Sequence, residues 1–169
     1  MTLASTLGAA CSGIVLRTEA DADTDFLAAL YADTRAEELA PVQWPEAEKA
    51  RFLRSQFALQ RQHYRAHYEG AEFLVLEQDG ERIGRLYLHS GAREIRLMDI
   101  AVVRALRGRG IGSRLLAALL AHAATVGRQI TLHVEPGNPA RQWYERMGFE
   151  RVEERGAYWF LSWTPRVLS

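Results

Sequence analysis

Hydrophobic residues recur along this chain at two periods, and each change of period marks a boundary. Residues 13–18 form a short apolar run suited to a strand. An acidic stretch then leads into a segment whose Phe26, Leu27, Leu30 and Tyr31 recur at helical spacing, which predicts a helix ending before Pro41. Proline suits a first helical position, so a second helix is predicted from Pro45, with Phe52, Leu53, Phe57, Tyr64 and Tyr68 on its buried side until Gly70. The period then shortens to that of strands. Residues 73–77 and 83–89 are β-rich runs flanking Asp79-Gly80, a pair that tolerates positive φ and so predicts a hairpin. A further strand, 95–103, follows a turn at Ser90-Gly91, giving three successive antiparallel strands.

Beyond that strand the helical period returns. Ile111, Leu115, Leu116, Leu119, Leu120 and Ala123 form one apolar stripe, and Gly127 stands where a helix C-cap belongs. Ile130, Leu132 and Val134 alternate with Thr131, His133 and Glu135, which predicts a strand with one apolar and one polar face. Asn138-Pro139 reads as an N-cap followed by a proline at the first helical position, opening a short helix that closes at Gly148. Residues 149–152 and 158–163 finish the chain as a strand pair. No repeat or linker interrupts this order, which predicts one α+β domain over residues 1–169, built around a mixed sheet.

Composition narrows the function classes. With 48% hydrophobic and 25% charged residues, the chain is neither disordered nor embedded in a membrane. A single cysteine, Cys11, cannot form an internal disulfide, and residues 1–15 lack both the basic start and the long apolar run of a targeting or spanning segment, so a cytoplasmic location is the default expectation. The formal net charge is zero, which argues against nucleic acid and anionic membrane as partners. Charge is nonetheless segregated. Acids crowd the first third (Glu19, Asp21, Asp23, Asp25, Asp33, Glu37, Glu38), and arginines crowd the glycine turn (Arg93, Arg96, Arg104, Arg107, Arg109, Arg114).

The chemistry-bearing segment is Asp99-Ile-Ala-Val-Val-Arg-Ala-Leu-Arg107-Gly-Arg-Gly110-Ile-Gly112-Ser-Arg, where a strand runs into a glycine turn and then a helix. Gly108, Gly110 and Gly112 let the main chain approach a ligand closely, and the helix that follows aims unpaired N–H groups at the same place, which suits a phosphate-bearing ligand. A dinucleotide fingerprint fails, because Gly108-x-Gly110-x-x-Ser113 lacks its third glycine and follows more than one hundred residues of chain. A P-loop fails because no lysine follows the glycines; the only lysine is Lys49.

Together with Leu132-His-Val-Glu-Pro-Gly-Asn138-Pro-Ala-Arg-Gln-Trp-Tyr144-Glu-Arg-Met-Gly148-Phe149, that turn resembles two motifs of the GNAT superfamily of acyl-CoA-dependent N-acyltransferases: an Arg/Gln-x-x-Gly-x-Gly/Ala turn at Arg107 to Gly112 and an Asn...Tyr-x-x-x-Gly-Phe segment. The resemblance implies a mostly antiparallel sheet of about seven strands flanked by helices, with a splayed cofactor cleft between the fourth and fifth strands. It implies acetyl-CoA as co-substrate and no metal. Coenzyme A would be held by main-chain groups of Arg107, Gly108, Arg109, Gly110, Ile111, Gly112 and Ser113 and, along the preceding strand, of Ile100, Ala101 and Val102. Asn138 corresponds to a pantetheine contact, although as a residue it reads equally as a helix cap. Tyr144 corresponds to the acid that protonates the departing thiolate, although it also reads as a packed aromatic.

An ammonium acceptor must lose a proton before attack, so a base is needed. Where some relatives place a glutamate on the strand before the turn, this chain has Arg96, which leaves Glu135, His133 and Asp99; the first two share a strand face and are the preferred pair. The expected reaction is direct, sequential acetyl transfer to a small-molecule or peptide amine, the acids and tyrosines of the first helices suiting a cationic or aromatic one. The alternative is an acyl-CoA sensor without catalysis. A homodimer through a sheet edge or residues 158–163 is compatible with the pattern.

Overall fold

The computed structural model describes residues 2–166. The chain opens with α1 (Leu3–Ala10), capped by Thr2, whose side chain accepts from the Ser5 N–H at 3.1 Å. This helix is missing from the sequence reading, since its apolar residues are short-range and diluted by Thr, Ser and Gly. It forms by burying Leu3, Leu7 and the following Cys11 in the core.

There follow β1 (Val15–Thr18), α2 (Thr24–Thr34), a single helical turn α3 (Ala36–Leu39) and α4 (Glu46–His67). The expected first helix thus divides, because Arg35 leaves helical geometry. Then come β2 (Glu72–Gln78), β3 (Glu81–Ser90), β4 (Glu94–Val102), α5 (Ile111–Val126), β5 (Gln129–Val134), α6 (Ala140–Arg146), β6 (Glu150–Arg155) and β7 (Tyr158–Trp163).

The seven strands form one sheet in the order β1-β2-β3-β4-β5-β7-β6, antiparallel everywhere except between β4 and β5. One face packs on α1, α5 and α6 through Leu115, Leu116, Leu119 and Ala123; the other receives α2 and α4 through Leu27, Phe57 and Val75. Residues 158–163 form an inner strand, since β7 lies between β5 and β6, and the sheet edges are β1 and β6, the latter exposed at every residue. Among the described residues no helix is long and apolar enough to cross a membrane.

The sheet opens where β4 meets β5. The two pair only at Glu94 with Gln129, Ile95 with Ile130 and Arg96 with Thr131. Past that rung β4 runs on to Val102 and β5 to Val134 without pairing each other. Register with β3 shifts by one residue at the same point, since Tyr87 faces Asp99 and Leu88 faces Leu97, leaving Met98 as a bulge that increases the local twist.

Candidate functional site

The gap between β4 and β5 is the floor of a cleft of about 1310 Å³ that reaches from α2 and α4 across to the start of α5 and to α6. Its β4 wall is main chain. Val103 donates to the Ile83 carbonyl at 2.8 Å, and the alternation of an antiparallel ladder then turns the N–H and C=O of Ile100 and Val102 away from β3 and into the gap. Ala101 has the opposite parity, so its backbone serves β3 and only its methyl group faces the cleft. β4 lies so close to β3 that a Cβ on Gly84 would collide with the Ala101 carbonyl oxygen.

At its far end this wall runs into the glycine turn. Gly108 and Gly110 hold φ of +78° and +81°, a left-handed conformation that costs other residues ~1–2 kcal/mol. Gly110 is the N-cap of α5, its carbonyl accepting from the Arg114 N–H at 2.9 Å, and no acidic residue stands in the first turn. Among the described residues the N–H groups of Gly108 through Ser113 have no acceptor in the chain, a run of unsatisfied donors at the positive end of a helix. Gly112 needs no unusual φ; it lies under the Trp143 indole, whose Nε1 donates to Ser113 Oγ at 3.0 Å.

The arginines around the turn are mostly engaged. Arg104 and Arg107 both pair with Asp33 of α2, at 3.1 and 3.0 Å, and Arg107 Nε also donates to the Val102 carbonyl at 3.0 Å. Arg114 donates to the Ser12 carbonyl at 2.8 Å. Arg109 is exposed and is the one predicted site residue outside the cleft lining.

On the β5 side, Tyr144 is buried against Trp143 and Phe149 and lines the cleft. Burial, and to a lesser degree the negative charge of Asp99, pushes its phenol well above the usual range, so it stays protonated under any ordinary condition. Asn138 Oδ1 accepts from the Ala140 N–H at 2.9 Å, so this side chain caps α6 while also lining the cleft.

Glu135 lines the cleft with no ion-pair partner among the described residues. His133 does not share that freedom. Arg96 Nη1 lies 3.3 Å from its Nδ1 and Arg155 Nη1 lies 3.2 Å from its Nε2, and burial together with these two cations lowers its pKa. The preferred pair of bases therefore differs in kind: one carboxylate is free, and one imidazole is held neutral between guanidinium groups.

Three features escaped the sequence reading. Arg85, 3% exposed, pairs with Asp99 across β3 and β4 and donates to Gln60 of α4 at 3.0 Å, which commits Asp99 to a structural partner. Arg96 is fixed by Thr131 Oγ1 at 2.8 Å and by the Tyr68 hydroxyl at 3.3 Å. The acids of the first helices are largely consumed internally: Asp23 by Arg17 and Arg82, Asp33 by Arg104 and Arg107, Glu38 by Arg35. Only the strand parity of Arg96, Thr131 and His133 hinted at any of this.

Comparison with known proteins agrees with the geometry. Residues 69–151 match the family described as "Acetyltransferase (GNAT) domain". No curated protein matches the sequence significantly. Solved structures share the fold at low identity. PaiA N-acetyltransferase from Thermoplasma acidophilum, in complex with coenzyme A, superposes with a TM-score of 0.67 at 18% identity, covering 89% of this chain and 98% of that one. An acetyltransferase from Thermus thermophilus gives 0.64 at 18%, covering 91% and 98%. The ribosomal-protein-S18-alanine N-acetyltransferase from Escherichia coli gives 0.57 at 18%, covering 92% and 96%.

Proposed function

We propose that this chain, whose residues 69–151 match the GNAT acetyltransferase domain, is an N-acetyltransferase moving an acetyl group from acetyl-CoA to a primary amine by direct, sequential transfer. The observation that carries this reading is a continuous one: an unpaired β4 edge that leads into six N–H groups without acceptors at the start of α5. That edge offers strand-like hydrogen bonds to an amide-bearing arm, and the turn offers donors to a diphosphate. Acetyl-CoA supplies an activated thioester carbonyl.

Each protein group then has a defined task. Main-chain donors of Gly108 to Ser113 hold the diphosphate, and Arg109, exposed and close by, adds charge. The Ile100 N–H donates to charge that develops on the thioester oxygen, a fixed dipole that needs no reorganisation. Tyr144, neutral across the working pH range, gives its proton to the leaving sulfur. Glu135 accepts the proton of the acceptor ammonium, directly or through water. His133 keeps Arg96 and Arg155 in place and is not the base, since accepting a proton between two cations is unfavourable.

Thiol release from acetyl-CoA, followed over a panel of primary amines alongside calorimetric titration with CoA, tests the reading. Amine-dependent release is expected. CoA binding without release toward any amine would favour the sensor reading, to which the Arg96 substitution of a strand carboxylate would then belong.

A further inference from the structure

We propose, taking acetyl transfer in this cleft as the premise, that the acceptor is a small amine that also bears a carboxylate, received by Arg96 and Arg155 at the closed end of the gap between β4 and β5. Arg96 stands on the last rung joining the two strands, on the sheet face opposite α5, and only 14% of its side chain is exposed. Arg155 reaches the same spot from β6. Both guanidinium groups rest on the Phe160 ring, at 5.5 and 3.9 Å from its centroid, and both meet His133.

That meeting leaves donors in excess. A neutral imidazole has one nitrogen able to accept, yet a guanidinium addresses each of its two nitrogens. The Tyr68 hydroxyl accepts from Arg96 Nη1 at 3.3 Å, and its own proton is a further donor beside the two guanidinium groups. Each arginine does have an acid partner, Glu94 at 3.4 Å and Glu153, but both are about half exposed and neither lines the cleft. Such solvent-facing pairs contribute little and exchange readily. On the cleft side two cations therefore face a neutral ring, and a planar carboxylate fits guanidinium forks geometrically.

The rest of the wall argues the same way. Its acids Asp33, Glu38 and Asp99 are already paired with arginines, which leaves only Glu37 and the proposed base Glu135 without an ion-pair partner among the described residues, whereas an acid finds two forks. The Ile100 N–H lies four residues along β4 from Arg96, at most about 13 Å, part of which the arginine side chain spans. Amine and carboxylate thus belong to one small molecule and are separated by a few bonds.

The test is calorimetry on the CoA-saturated protein with matched pairs: L-phenylalanine against 2-phenylethylamine, L-methionine against its amide, and 5-aminopentanoate against pentylamine. At least one acid is expected to bind about tenfold or more tightly than its partner, equivalent to ~1.4 kcal/mol. Arg96→Gln and Arg155→Gln should each remove most of that preference without altering CoA affinity, and Arg155→Glu, at a half-exposed position that puts folding at little risk, should reverse it. Absence of binding by every acid, equal binding within all pairs, or a preference that survives in the double variant would overturn the proposal. Acid binding without thiol release would support the anion site and overturn acetyl transfer. Thiol release indifferent to the carboxylate would do the reverse.

Discussion

The two halves of the cleft are made of different material. On the proposed cofactor side the ligand-facing atoms are main chain: the turned-out groups of Ile100, the Val102 N–H, and the N–H run from Gly108 to Ser113, which has no acceptor among the described residues. On the proposed acceptor side they are side chains drawn from distant elements, with Arg96 of β4, His133 of β5, Arg155 of β6 and Tyr68 at the end of α4. A backbone site needs glycines and a strand that parts from its neighbour, and most other residues can vary around it. That is how a fold persists at 18% identity among the solved structures. A side-chain site changes with every substitution, so on the proposed reading acceptor choice is set there.

If the cofactor half is a backbone device, it fails most completely where the backbone is forced. Gly110→Glu puts a Cβ on a residue at φ +81° and a carboxylate beside the N–H groups that await an anion. Calorimetry is expected to show CoA affinity reduced by at least about 100-fold, or ~2.7 kcal/mol, with the far-ultraviolet dichroism retained. Near-normal affinity would remove the glycine turn from the cofactor site.

Tyr144 tests whether any single side chain matters as much on that side. Tyr144→Phe keeps the packing against Trp143 and Phe149 and removes only the hydroxyl. A fall of about 100-fold in kcat with little change in the acetyl-CoA KM is the expected result. The pH dependence has a definite sign. Because the folded phenol is shifted upward, it is still protonated at pH 10, so any loss of activity on the alkaline limb below that point belongs to another group. Above pH 10 the unfolded chain binds fewer protons than the folded one at Tyr64, Tyr87 and Tyr144, and stability falls as pH rises.

The same contrast explains what could be read without coordinates. The glycine turn, the stripe of α5 from Leu115 to Ala123 and the alternation of β5 are local patterns, and the structure places each where the pattern says. The opening between β4 and β5 came through resemblance, because nothing in the residue order says that pairing stops after Arg96 and Thr131. Asp33 crossing from α2 to Arg104 and Arg107, or Arg155 closing on His133, joins residues far apart in sequence whose types are ordinary on any helix or strand. Helix α1 was missed for a different reason: eight residues with two buried leucines leave too short a period to detect, and tertiary packing decides the outcome.

The Asp33 pairs tie α2 to the glycine turn through charge, since this one acid holds both Arg104 and Arg107. Asp33→Asn frees both cations for the phosphates. Half-exposed ion pairs are worth up to about 1 kcal/mol, so the acetyl-CoA KM is expected to fall by a factor of about 2–5. A rise of similar size would mean that Asp33 positions Arg107 against the Val102 carbonyl and that this contact serves binding.

Asn138 gives the smallest effect and separates two roles that coincide in one residue. Its Oδ1 caps α6 through the Ala140 N–H, while the residue lines the cleft, where its amide N–H₂ is a candidate pantetheine contact. Asn138→Ser preserves a capping oxygen and removes the amide donor; Asn138→Ala removes both. If the residue is only a cap, the serine variant keeps wild-type stability and acetyl-CoA KM, and the alanine variant loses about 1 kcal/mol in thermal unfolding. If it also holds the arm, both variants raise the acetyl-CoA KM by a similar few-fold factor while only alanine lowers the melting temperature. The second pattern is the expected one, because an amide on the cleft wall opposite an unpaired strand edge completes the hydrogen-bonding surface that β4 begins.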